Sequence, residues 1–190
     1  APRPWRCLRD ATARILLEHG VEPVEPQELI NEEQTLKIVP SIQELEEDLP
    51  PRDDLVYVGS LLHSFKTTSE TLFEPEAGKR YVFVYVGTGS VTLRNLRLVL
   101  PLVFPTGSDT FCLVGTQGVQ HEEQHGNVRF RPYWDAESLI PHCEWVICHG
   151  GHNTIIQALL NAVPLLIFPG PIFERRFNAQ RVEDAGAGRF

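Results

Sequence analysis

Residues 145–171, WVICHGGHNTIIQALLNAVPLLIFPGP, read as strand, glycine turn, helix, strand and glycine-proline loop. Trp145 to Cys148 is an apolar run with β-branched Val146 and Ile147. It stops at His149-Gly150-Gly151, and Asn153-Thr154 open an amphipathic segment. Ile155, Ile156, Leu159 and Leu160 fall on one face of that helix, and Asn153, Gln157 and Asn161 recur on the other. Pro164 ends the helix, and Leu165 to Phe168 form a second buried-strand pattern. This is a βαβ unit, and a βαβ unit requires a parallel sheet.

The turn has a chemical use. Glycines let a backbone approach a ligand closely, and a helix N-terminus exposes unpaired N–H groups at the positive end of its dipole. Together they can hold an anion at the carboxyl end of a strand. Taken alone, the same residues can serve only as a tight turn with Asn153 or Thr154 as a cap.

Outward from this unit, strands and helices alternate from residue 80 onward. Tyr81 to Val86 is a continuous apolar strand running into GTGS at 87–90. Leu93, Leu96, Leu100 and Val103 follow a helical period that Pro101 should kink or end. Thr110 to Val114 is a strand closed by GTQG at 115–118. Asn127 to Phe130 is a further strand, Ala136 to Ile140 a short helix, and Phe173 to Ala187 a last helix with Phe177, Val182 and Ala185 as core contacts. The pattern predicts an α/β, Rossmann-like doubly wound parallel sheet. In such a sheet GTGS, GTQG, HGGHNT and FPGP lie on one carboxyl edge, so their convergence predicts a binding site.

The earlier part of the chain reads differently. Residues 4–19 form a helix with Trp5, Leu8, Ile15 and Leu16 on one stripe and Gly20 as its stop. PQELI at 26–30 makes one turn, Thr35 to Val39 a short strand, and Ser41 with Glu44 a capping-box pattern. The acidic run after it is a solvated face or a link. Leu55 to Val58 is another strand, and residues 60–79 lack periodicity. The predicted organisation is 1–59, then a linker or long loop at 60–79, then a doubly wound α/β domain at 80–190.

The 190 residues are 42% apolar and 22% charged, as in ordinary globular proteins, and the net charge of −8 argues against nucleic-acid binding by phosphate neutralisation. No run reaches the roughly 18 apolar residues of a membrane span, so no transmembrane segment is expected, and no signal-peptide pattern is present. The chain opens APRPW and contains no Met, as a processed or partial chain does. Cys7, Cys112, Cys143 and Cys148 have no disulfide-framework spacing, which fits a reducing cytoplasm. His142, Cys143, Cys148, His149 and His152 are not spaced like zinc ligands, and no metal is expected.

GTGS lacks the Lys-Ser/Thr ending of a P-loop and is not a dinucleotide fingerprint. Placed beside HGGHNT it supplies a second N–H-rich turn for one diphosphate. Tyr133-Trp134 can stack on a base or serve as core aromatics. Glu174, Arg175 and Asn178 can project toward the same edge and suit sugar hydroxyls, or form an exposed charged turn.

The ordered string H-G-G-H-N-T, Q-A-L-x-x-A-V-P, L-I-F-P and F-N-A-x-R-V-x-x-x-G-A-G resembles the donor-binding signature of GT-B fold nucleotide-sugar glycosyltransferases. The likeness is to the family 1 type, with some likeness to family 28. It covers residues 80–190, with VYVGTGS as the first strand and loop of the C-terminal domain; residues 1–59 resemble the end of an acceptor domain and the interdomain link.

The resemblance implies roles. Thr88, Gly89, Ser90, His149, Gly150, Gly151, Asn153 and Thr154 would hold the donor diphosphate. Tyr133 and Trp134 would provide base stacking, Gln157 would bind ribose, and Glu174 and Arg175 the transferred sugar. Gln157 stands where the family has Glu, Arg175 where it has Gln, and Ala136 where many members have a base-contacting Gln. The general base, usually an early His of the N-terminal domain, is not assigned here.

The expected activity is inverting transfer of a sugar from a UDP- or dTDP-sugar to an acceptor hydroxyl. This chain supplies the donor site, and a small-molecule or lipid acceptor is held by an N-terminal domain outside it. No cofactor is expected beyond the nucleotide-sugar substrate, and the fragment alone is expected to be inactive. A second reading is a non-catalytic nucleotide-sugar binding module that needs a separate acceptor domain. A third is a nucleotide-sugar epimerase, which would need catalytic carboxylates of its own.

Overall fold

The computed structural model describes residues 3–29, 35–46, 52–59, 61, 72–87 and 91–190. The chain divides into two compact units, Ala1–Pro40 with Pro50–Val58, and Ser41–Leu49 with Gly59–Phe190. The division does not follow chain order, because the short segment from Ser41 belongs with the larger, C-terminal unit.

The smaller unit holds helices α1 (Arg3–Glu18) and α2 (Pro26–Leu29) and strands β1 (Lys37–Val39) and β2 (Leu55–Tyr57). The end of α1 follows from the sequence: Val21 N–H donates to the Leu16 carbonyl and Gly20 N–H to that of Leu17, closing a Schellman motif. Leu8 and Ile15 of the expected apolar stripe are exposed, and the Trp5 side chain lies outside the described residues. β1 and β2 pair in parallel. Arg52 first, then Lys37, hydrogen-bond the Asp54 carboxylate and hold it well below the usual carboxylate range.

The larger unit is built on a seven-stranded sheet. Its elements in order are β3 (Arg80–Tyr85), α3 (Leu93–Val103), β4 (Thr110–Gly115), β5 (Glu123–His125), β6 (Val128–Arg131), α4 (Ala136–Leu139), β7 (Cys143–Cys148), α5 (His152–Leu160), β8 (Leu165–Ile167), α6 (Phe173–Asp184) and β9 (Gly188–Arg189). The spatial order is β5-β6-β4-β3-β7-β8-β9, and every pairing is parallel except that of β5 with β6. This is the doubly wound, Rossmann-like α/β sheet expected from the alternation of apolar runs.

β3 explains why its run is unbroken. Tyr81 and Phe83 point into a core shared with Val146, Ile155, Leu165 and Val182, beneath α5 and α6. Val82 and Val84 point the other way, into a core shared with Leu96 and Leu100 of α3. A strand covered on both faces has no polar side to show. Thr92 caps α3 by accepting from the Asn95 N–H at 3.3 Å. Pro101 is tolerated two residues before the end of α3, so it does not shorten the helix appreciably.

Several expectations are corrected. Ser41 is not a helix cap: the short turn Gln43–Leu45 is preceded by extended Ile42, so the turn begins one residue later than a Ser41 cap requires. The Ser41 hydroxyl is buried without a hydrogen-bond partner, and the Glu44 side chain lies outside the described residues. Leu160 and Ala185 are exposed, and Ala158 and Ala179 take the buried positions instead. Most of the stretch at 60–71 lies outside the described residues, but Phe73 packs on the core, edge-on to Tyr81 and Trp134. β5 and β9 were not anticipated; β5 is polar and at the sheet edge, and β9 has two residues.

Candidate functional site

The strand order sets the place of the site. From β3 the chain moves outward through β4 to β6, then returns across to β7 on the other side of β3. The loops leaving the carboxyl ends of β3 and β7 therefore diverge, and open α/β sheets bind ligands in that crevice. A cavity of about 510 Å³ lies there, lined by Tyr85 and Gly87 after β3, Thr116 and Gln117 after β4, and His149, Gly151, His152, Asn153 and Thr154 after β7, with Arg175 from α6.

His149 is wedged at its floor. Its Nδ1 lies 3.4 Å from the Tyr85 carbonyl, which accepts, so Nδ1 carries the hydrogen. A β-carbon at Gly87 would stand 2.7 Å from the imidazole Cε1, and one at Gly151 would stand 2.8 Å from Nε2. The two glycines thus make room for the ring. Burial first, and then the Arg175 charge, push the His149 pKa below its ordinary value. The neutral ring, with Nδ1–H committed to Tyr85, leaves Nε2 as its second polar atom.

The helix beside it is built to leave its end open. Gly151, not Asn153 or Thr154, is the N-cap of α5, and no side chain caps it. The first helical hydrogen bond runs from Ile155 N–H to the Gly151 carbonyl at 3.2 Å. Gly150 has φ +90°, which L side chains rarely adopt, and a β-carbon there would meet the Arg175 carbonyl oxygen at 2.8 Å. Glycine is required twice over at that position. Cys148, just before the turn, is buried, and its thiol is pushed up to about 11.

A second cavity of about 400 Å³ adjoins the first and shares Tyr85, Gln117, Asn153 and Thr154 with it. Tyr133, Trp134 and Gln157 line it, but the two aromatics differ. Tyr133 is 62% exposed and offers a free ring. Trp134 is buried, donates from Nε1 to the Val114 carbonyl at 3.1 Å, and has the Arg131 guanidinium 4.2 Å from its ring. Its ring is largely spent on the fold.

Of the residues the sequence singled out, His149, Gly151, Asn153, Thr154 and Arg175 meet in the first cavity, and Tyr133, Trp134 and Gln157 in the second. Gly150 shapes the turn from beneath. Glu174 is exposed and lines neither cavity. Thr88, Gly89 and Ser90 lie outside the described residues. Tyr85, Gly87, Thr116, Gln117 and His152 also line the first cavity. The signal for them was the position of GTGS and GTQG at strand ends of a parallel sheet.

Residues 82–190 match the sequence profile of the family described as Glycosyltransferase family 28 C-terminal domain. Over 160 residues the chain is 28% identical to 4'-demethylrebeccamycin synthase of Lentzea aerocolonigenes, covering 80% of this chain and 36% of that protein. The structure resembles that of the glycotransferase of kitacinnamycin with a TM-score of 0.74 at 19% identity, covering 99% of this chain and 49% of that one. It also resembles the glycosyltransferase VinC, solved in complex with dTDP, with a TM-score of 0.56 at 21% identity, covering 96% of this chain and 45% of that one. The chain thus spans 36% of the curated relative and about half of each structural one.

Proposed function

The chain belongs to the glycosyltransferase family 28 C-terminal domain family and carries a Rossmann-like C-terminal half of the GT-B fold, and we propose on that premise that it holds the donor of a sugar-transfer reaction. The donor is a UDP- or dTDP-sugar. Its diphosphate lies in the first cavity, against the open end of α5 and His149, and its nucleoside lies in the second.

One observation carries this reading: two adjoining cavities share a wall, one ending at an uncapped helix N-terminus and the other bearing an exposed aromatic ring. A nucleoside diphosphate has matching halves. Helix N–H groups and dipole stabilise the phosphates. Tyr133 stacks on the base, with Trp134 behind it as a fixed wall. Gln157 hydrogen-bonds the ribose, its amide offering both donor and acceptor.

Transfer is inverting. An acceptor hydroxyl attacks the anomeric carbon as the bond to the diphosphate breaks, and charge grows on the leaving oxygen. Groups already aimed at that charge lower the barrier without reorganising. Thr154, the N–H groups of α5 and the Arg175 guanidinium serve this purpose, and the family resemblance gives Thr88, Gly89 and Ser90 the same role. Glu174 and Arg175 contact the transferred sugar. The base that deprotonates the acceptor, and the acceptor pocket, come from a domain outside this chain.

Isothermal titration with UDP and dTDP tests the site. Saturable binding that Thr154→Val weakens is the expected result; no binding at millimolar nucleotide overturns it. A longer form of the protein that binds donor but transfers no sugar to any hydroxyl acceptor would favour the non-catalytic binding module.

A further inference from the structure

We infer that Asn178 is a positioning residue for the diphosphate contact, one that turns the Gly151 N–H toward the cleft by holding the Gly150 carbonyl away from it. The inference rests on the nucleotide-diphosphate reading above. Asn178 sits on α6, one helical turn after Arg175. Its Nδ2 donates to the Gly150 carbonyl at 3.0 Å. It does not line the first cavity but lies behind the turn, beside a small recess with His152, Phe177 and Arg181.

The peptide bond converts that contact into an orientation. In a planar trans peptide the carbonyl of one residue and the N–H of the next point in opposite directions. Drawing the Gly150 carbonyl back to Asn178 therefore presents the Gly151 N–H on the other side, where Gly151 lines the cavity. The preceding N–H, of Gly150, hydrogen-bonds the Cys148 sulfur. The turn is thus fixed from both sides: Cys148 takes its inward donor, and Asn178 takes its inward acceptor. The Gly150 φ of +90° gives this peptide a conformation with little intrinsic preference of its own. A latch is needed to select one orientation, and α6 supplies it.

The same helix brings the Arg175 backbone against Gly150, where an added β-carbon would meet the Arg175 carbonyl at 2.8 Å. The segment read as contacting the sugar and the turn read as contacting the diphosphate are therefore joined through Asn178.

Asn178→Asp is the test, because it keeps size and shape while replacing the donor with a carboxylate that repels the Gly150 carbonyl. Asn178→Ala removes the donor without adding charge. Without ligand, amide hydrogen exchange at Gly150, whose N–H is held by the Cys148 sulfur, should accelerate about tenfold or more in both variants, while amides of β3 and β4 keep their protection. With ligand, UDP affinity should fall about tenfold, the effect of misaligning one hydrogen bond to a charged group, and uridine affinity should stay within twofold. Unchanged exchange at the turn overturns the inference. So does a loss of uridine affinity equal to that of UDP, which is the mark of a general structural role. A wild-type chain that binds no UDP refutes the nucleotide reading instead, and the exchange measurement still decides whether Asn178 sets the turn.

Discussion

Gly151→Ala separates the chemistry of the cleft from the stability of the fold. Gly151 has φ −69° and ψ 134°, an extended conformation that alanine adopts without strain. The added methyl would stand 2.8 Å from Nε2 of His149. Ordinary contact begins at 3.4 Å, so the ring must retreat by about 0.6 Å. Gly87 carries no β-carbon to stop the ring on its side, so the imidazole moves away from the new methyl. Its bond to the Tyr85 carbonyl, already 3.4 Å, is then lost, and Nε2, which donates to a phosphate once the bound anion has protonated the ring, is turned away from it. One charge-assisted hydrogen bond is worth about 1.5–3 kcal/mol, which corresponds to about a 10- to 150-fold loss of UDP affinity. Replacing a glycine N-cap with alanine costs about 0.5–1 kcal/mol, so the melting temperature should fall by only about 1–4 °C. Calorimetric titration with UDP and with uridine, beside thermal unfolding, reads both effects. Unchanged UDP affinity, or an equal loss for uridine, refutes the role given to the wedged imidazole.

Other consequences follow from the same geometry. Burial and Arg175 lower the His149 pKa from 6.5, so just below pH 6.5 the unfolded chain binds more protons than the folded one. Unliganded stability should therefore fall as pH drops through that window, and His149→Asn should remove that component in pH-dependent unfolding curves. An anion beside the ring favours the protonated form, so UDP affinity should rise as pH falls from 8 to 6, less so in His149→Asn. Tyr133→Ala should weaken UDP and uridine alike by about 1–3 kcal/mol with an unchanged melting temperature. Trp134→Phe removes the indole donor to the Val114 carbonyl and should cost about 0.5–1.5 kcal/mol of stability in denaturant unfolding. Ala162 ends α5 at φ +54°, where a β-carbon costs roughly 1–2 kcal/mol; Ala162→Gly should raise the melting temperature by a few degrees.

Much of the sheet was legible in the sequence because two-sided burial writes itself as unbroken apolar runs. β3, β4 and β7 read clearly for that reason, and Pro164 marked the helix end. The β5–β6 hairpin did not, because Glu123–His125 is a polar edge strand whose pairing is made by backbone alone. β9 is Gly188–Arg189, too short for any pattern. The grouping of Ser41–Leu49 with the larger unit was not legible, because its buried residues, Ser41 and Leu45, form no apolar pattern in an acidic run.

Within the site, His149 to Thr154 stood out through glycine spacing and helix start. Tyr85 and Gln117 did not, because an ordinary strand end and a loop glutamine become cavity walls only once the strand order is known. The difference between Tyr133 and Trp134 was also invisible, since it turns on one carbonyl, that of Val114. The family profile that matches is the 28 type, the lesser of the two likenesses carried by the motifs.

The most direct test of the central claim is an amide chemical-shift map of the isotopically labelled chain titrated with UDP. Saturable shifts should concentrate at Gly87, Gly151, His152, Asn153 and Thr154, with a second group at Tyr133 to Ala136. No shifts at millimolar UDP, or saturable shifts confined to residues away from the carboxyl ends of β3 and β7, would contradict it.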